Sequence, residues 1–170
     1  AQGASAPASG PANAARSPAP APARPPIRLA RAVAQRPELL VIGSSTGGPQ
    51  ALREVVCGLA GKVAVPVLIV QHMPAMFTAI LAEHLALFQT AAQATGGRIL
   101  GCVLTGMGSD GRNGSDAIVK AGGAVIVQDE PTSIVWGMPG SVANAGLAAS
   151  IKPLREIAPA LLDVLKGNTP

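Results

Sequence analysis

Apolar residues along this chain fall into short continuous runs, separated by segments with helical periodicity. Leu39–Ile42, Val65–Val70, Ile99–Leu104 and Ala124–Val127 are nearly uninterrupted apolar runs, as expected of strands buried on both faces. Between them, Gln50–Leu59, Phe77 to about Thr95 and Gly111–Ala121 read as helices. In the second, Phe77, Ile80, Leu81, Leu85 and Phe88 recur at three- and four-residue steps. Gly96-Gly97 and Gly122-Gly123 stop the second and third helices. Pro139–Ala145 predicts a short helix, and Pro153–Leu165 a last amphipathic one with Leu154, Ile157, Leu161, Leu162 and Leu165 inward. Strands alternating with helices predict an α/β domain with a doubly wound, mainly parallel sheet and helices on both faces.

Composition changes this picture only at the N-terminal end. Residues 1–37 hold 13 Ala, 8 Pro and five Arg, and no acid. Such a stretch lacks the apolar periodicity to build a core and predicts an extended, disordered linker, leaving 38–170 as the domain. The sequence starts at Ala1 and is read as a fragment or a processed chain. Of the 13 basic residues, five lie in the linker, so residues 38–170 carry eight against nine acids. The high pI of about 9.7 is therefore a property of the linker, and no basic nucleic-acid surface is predicted on the domain. No run approaches the roughly 18 apolar residues of a membrane span, and no signal-peptide core is present. Together these predict a cytoplasmic protein without membrane insertion. Cys57 and Cys102 both lie in apolar surroundings and read as small buried hydrophobes, too few for a disulfide framework or a zinc site.

In a doubly wound sheet the binding crevice lies at the carboxyl ends of the strands. The first strand ends in Gly43-Ser44-Ser45-Thr46-Gly47-Gly48, where Gly43, Ser45 and Gly47 have the G-x-S-x-G spacing of a nucleophile elbow. The second delivers Gln71-His72-Met73-Pro74, the third Thr105-Gly106-Met107-Gly108-Ser109-Asp110-Gly111, the fourth Gln128-Asp129-Glu130. A serine, a histidine and an aspartate thus emerge at one edge from three consecutive strands, the placement a Ser-His-Asp triad requires. Each has a plainer reading by itself. Ser45 could be a turn residue, His72 a satisfied polar residue, and Asp110 a helix N-cap. His84 reads as a helix-surface residue, Asp116 as part of a helix, and Asp129 as a substitute orienter for the histidine. The glycine-rich turn also suits a phosphate, although no G-x-G-x-x-G or Walker A pattern is present.

Taken together, Ile42-Gly43-Ser44-Ser45-Thr46-Gly47-Gly48, Val70-Gln71-His72-Met73-Pro74 with Phe77-Thr78, Leu104-Thr105-Gly106-Met107-Gly108-Ser109-Asp110-Gly111, Gln128-Asp129-Glu130 and Gly137-Met138-Pro139 resemble the catalytic domain of the chemotaxis protein-glutamate methylesterases, the CheB family. The resemblance spans about 38–165. It implies Ser45 as nucleophile, His72 as general base and Asp110 as its orienting partner, with the Met107 N–H in the oxyanion hole and Thr46 and Gly106 beside it. It implies demethylation of glutamate methyl esters on methyl-accepting chemotaxis receptors, and deamidation of receptor glutamines in many members, without metal or organic cofactor. The alternatives from the residues are an impaired remnant that binds receptors and a phosphate-binding module. Two departures accompany the resemblance. The receiver domain usual in the family is absent from this sequence. A long segment that family members carry after the His-Met-Pro helix is also missing, since Ala86 runs directly into Leu87-Phe88.

Overall fold

Alternate residues of the central strands face two separate apolar clusters, and this alternation sets the architecture. The computed structural model describes residues 26–31, 35–72 and 88–170. Its elements run β1 (Leu39–Ser44), α1 (Gly48–Leu59), β2 (Val67–Gln71), α2 (helical over 88–94) and β3 (Ile99–Val103). They continue as α3 (Arg112–Lys120), β4 (Ala124–Gln128), α4 (Gly137–Asn144), β5 (Ser150–Lys152) and α5 (Leu154–Leu165). The strands form one parallel sheet in the order β2-β1-β3-β4-β5.

Leu40, Ile42, Leu100, Cys102 and Ile126 face α1 and α5, where Val55, Leu59, Ile157 and Leu161 complete one cluster. Val41, Val103, Val125 and Val127 point to the opposite face and meet Phe88 of α2, Ile118 of α3 and Val142 of α4. Both faces of β1, β3 and β4 are therefore covered, as the apolar runs predict, while Val67 and Ile69 of the edge strand β2 are exposed. The order reverses at β1, which has β2 on one side and β3 on the other. The helix after β1 packs on one face and the helix before β3 on the other, which opens a crevice beyond the carboxyl ends of these two strands.

The structure departs from the sequence reading at particular points. Strand β5 is not predicted, because Ser150-Ile151-Lys152 carries one apolar residue among three and is recruited by the free edge of β4. The second strand starts at Val67, after Pro66, rather than at Val65. Cys57 is exposed, not buried as expected. The buried stripe of α1 is Gly48, Ala51, Val55 and Leu59, and position 57 lies outside it. Within the stretch assigned to a linker, Ala30, Arg36 and Pro37 are held against the domain. The Ala30 N–H donates to the Ala148 carbonyl at 2.7 Å, Arg36 Nε donates to the Leu165 carbonyl at 2.9 Å, and Pro37 is buried. Residues 1–25 and 32–34, His84, the Met73-Pro74 and Phe77-Thr78 motifs, the first part of the Phe77–Thr95 helix and the Ala86-Leu87 junction lie outside the described residues. No helix among the described residues is long and apolar enough to cross a membrane.

Cys102 sits in the central strand β3 with no exposed surface, and this burial pushes its thiol well above the ordinary range. A small thiol reagent at about pH 8 is therefore expected to label Cys57 alone in the native protein, and both cysteines after denaturation. Native-state labelling of Cys102 as fast as that of Cys57, read by mass spectrometry, would contradict this packing.

Candidate active site

The chain leaves β1 at Ser44 and enters α1 at Gly48, so residues 45–47 must reverse it tightly. Gly47, the N-cap of α1, adopts φ 80°, and a Cβ there would meet Ile134 at 2.8 to 3.0 Å. Only glycine meets both demands without strain. The turn is closed by a Gly48 N–H that donates to the Ser45 carbonyl at 2.7 Å. Ser45 itself is anchored across the crevice by its N–H, which donates to the Thr105 carbonyl at 3.0 Å.

The parallel register of β1 and β2 pairs Ser44 with Gln71, and the next residues of the two strands meet in turn. The His72 N–H donates to the Ser44 carbonyl at 2.8 Å, which extends the ladder one step past the strand ends. As a result Ser45 Oγ lies 2.9 Å from His72 Nδ1. In neutral imidazole with the proton on Nε2, Nδ1 accepts the serine O–H, the arrangement a general base needs.

The loop after β3 forms the other wall. The Thr105 N–H donates to Gln128 Oε1 at 2.9 Å, and Thr105 Oγ1 donates to the Thr46 carbonyl at 2.9 Å while accepting from the Val135 N–H at 3.0 Å. Gln128 is wholly buried, donates through Nε2 to the Thr132 carbonyl at 2.7 Å, and accepts from Trp136 Nε1 at its own carbonyl at 3.0 Å. Gly106 uses both backbone groups within the fold, its N–H donating to Val135 and its carbonyl accepting from Met138. It contributes closeness, since a Cβ at 106 would stand 2.8 Å from Ser45 Cβ and collide with Met138. Met107, 63% exposed, borders an open groove of about 450 Å³ together with Ser45, Thr46, Gly47, Gln71 and His72. Neither the Met107 nor the Thr46 N–H has an acceptor among the described residues. Both residues line the groove that Ser45 borders.

His72 also lines a second space, a cavity of about 30 Å³ shared with Asp110, Phe88, Gly114 and Met138. The imidazole thus borders both the groove that holds Ser45 and the cavity that holds Asp110. Among the described residues no hydrogen bond joins Asp110 to His72. Asp110 is not a helix cap either, because Gly111 occupies that position and no side chain caps α3. Asp129, read as a substitute orienter, is engaged in its own turn, where Oδ1 accepts from Thr132 N–H at 3.1 Å and Thr132 Oγ1 at 2.5 Å. Asp116 pairs with Lys120 at 2.6 Å on the exposed side of α3. Among the described residues no group of three or more His, Cys, Asp or Glu side chains converges as a metal site. The sequence reading passed over Gln71, Thr105 and Gln128, whose only signal was a polar residue closing or following each apolar run.

A sequence profile of the CheB methylesterase family matches residues 40–86 and 86–161, two stretches that meet at residue 86. The protein-glutamate methylesterase/protein-glutamine glutaminase of Maricaulis maris is 39% identical over 191 aligned positions, covering 78% of this chain and 48% of that protein. A protein of the same name from Paramagnetospirillum magneticum, numbered 1, is 36% identical over 203 positions, covering 85% and 53%. Both alignments are longer than the 170-residue chain and so open gaps within it. The chain spans about half the length of the curated relatives it matches. The catalytic domain of the Thermotoga maritima CheB methylesterase has the same fold, with a TM-score of 0.66, 26% identity, and coverage of 75% of this chain and 98% of that one. By profile, by relatives and by fold, this chain belongs to the CheB methylesterase family.

Proposed function

We propose that this chain is a serine hydrolase that demethylates glutamate methyl esters on the cytoplasmic helices of chemotaxis receptors. The observation that carries the reading is the 2.9 Å approach of Ser45 Oγ to His72 Nδ1 at the wall of an open groove. In this reading His72 takes the Ser45 proton as the hydroxyl attacks the ester carbonyl. The tetrahedral oxyanion is held by the Met107 and Thr46 N–H groups, the latter next to the N-terminus of α1, with Gly106 keeping the wall close. One such donor is worth about 3 kcal/mol in the transition state. The imidazolium returns its proton to the leaving methoxide, and methanol departs. Water, activated by the same imidazole, then hydrolyses the glutamyl–serine ester.

Asp110 is the orienting partner, stabilising the imidazolium from the cavity side. Catalytic hydrogen bonds open in the free enzyme close as charge develops. The relatives' names include glutaminase, and the same route applied to a receptor glutamine would release ammonia. The substrates place the working compartment in the cytoplasm, with receptors as partners and without a cofactor or a nucleic acid. The junction at 86–87, where the matched stretches meet, supports a shortened chain; in this reading the triad survives while stability and receptor recognition are impaired.

A fluorophosphonate is expected to label Ser45, and His72→Ala to abolish the labelling with the fold retained. Ser45→Ala is expected to lower methanol release from methylated receptors by at least about 10⁴-fold. Full activity in that variant, or saturable nucleotide binding at the turn, would sink the reading. Asp110→Asn is expected to lower kcat by about 10²- to 10⁴-fold with the fold unchanged; an unchanged kcat would remove Asp110 from the mechanism. Small esters should be turned over at rates within about tenfold of a full-length relative's catalytic domain, one decade being about 1.4 kcal/mol of barrier, while receptor demethylation falls further. Equal losses on both substrates would contradict the account of the shortening.

A further inference from the structure

Gln71 closes β2, and its side-chain amide is fully employed at the site. Oε1 accepts from Ser44 Oγ at 2.7 Å, while Nε2 donates to the Ser45 carbonyl at 2.9 Å and to the His72 carbonyl at 2.8 Å. An amide nitrogen carries two N–H groups, and here each goes to the backbone of one of the two paired residues. We propose that Gln71 is a positioning residue that fixes the separation of Ser45 and His72 by tying both carbonyls to one nitrogen. This rests on the reading of Ser45 as nucleophile and His72 as base.

Both residues lie beyond the ends of their strands, where the ladder supplies one last bond, from the His72 N–H to Ser44. Past that bond, the planar Gln71 amide joins the turn after β1 to the end of β2. Its orientation is determined by its surroundings. A flipped amide would set Oε1 against two carbonyl oxygens, and that repulsion selects the observed state. Ser44 Oγ, in a residue 1% exposed, satisfies the remaining acceptor. The first turn of α1 closes over the group, because a Cβ at Gly48 would collide with Gln71 Oε1 and come within 2.9 Å of Ser44 Cβ. Loss of the amide would take its donor from the His72 carbonyl, leave the Ser45 carbonyl with the Gly48 N–H alone, and let the turn and the strand end drift apart. A displacement on the order of 1 Å between reacting groups is enough to cost about 100-fold in rate.

Gln71→Glu tests this, since it keeps the shape and the Oε1 acceptor but replaces the doubly donating nitrogen with oxygen. Its kcat on a small ester is expected to fall about 10- to 100-fold, with KM within about threefold, and fluorophosphonate labelling of Ser45 to slow in parallel. Ser44→Ala removes only the bond to Oε1 and is expected to lower kcat severalfold; it serves as the second variant if Gln71→Glu does not fold. A folded Gln71→Glu or Ser44→Ala with wild-type kcat and labelling rate would overturn the proposal, as would a loss confined to KM. A wild-type protein that is folded yet unlabelled at Ser45 would instead refute the nucleophile reading on which it rests.

Discussion

The bond from the Ser45 N–H to the Thr105 carbonyl crosses the sheet where the strand order reverses, and the site depends on it. Ser45 follows β1 and Thr105 follows β3, so this contact joins the two loops that a switch point would otherwise leave apart. Thr105 is held in turn by Gln128, and Gln128 by the backbone of Thr132, so the loop after β4 is drawn into the same network. A typical hydrogen bond nets about 1 kcal/mol, but a buried polar group left unpaired costs about 1–3 kcal/mol. Such a chain of partners is stable complete and poor in pieces, which favours one well-defined arrangement of the three loops.

The second dependence is on register. Ser44 faces Gln71 across a parallel pair, and the hydroxyl and the imidazole meet because the next residue of each strand continues that pairing. A slip of one residue would move Val70 out of its core cluster and turn every β2 side chain to the other face. The burial of Leu40, Ile42 and their neighbours thus does more than stabilise the domain. It specifies the alignment that puts the His72 imidazole beside the Ser45 hydroxyl.

Continuous apolar runs made β1 to β4 legible, because strands covered on both faces leave little room for polar residues, and β2 keeps such a run although Val67 and Ile69 are exposed. The leucine and isoleucine spacing carried the last helix across Pro159, which does sit inside α5. Strand β5 was not legible, since a three-residue edge strand is defined by its neighbour more than by its own residues. Cys57 misled because a cysteine among apolar neighbours reads as buried, whereas the phase of α1 turns that position outward. At the site, the pairing of Ser45 with His72 followed from both residues being strand-end residues. The roles of Gln71 and Gln128 did not, since an amide announces nothing until the carbonyls it reaches are placed in space.

The polypeptide enters this domain at the floor of the sheet, the side on which the strands begin. Ala30 bonds to Ala148 just before β5, and the Glu38 N–H bonds to the Arg98 carbonyl just before β3. Ser45 stands on the roof, past the six residues of β1, a height of about 20 Å at roughly 3.3 Å per residue. Anything tethered through Ala30 must therefore span that height before it can reach the groove. Small changes of length there leave the entrance to Ser45 clear, and anything meant to plug it from that side needs a leash of many residues.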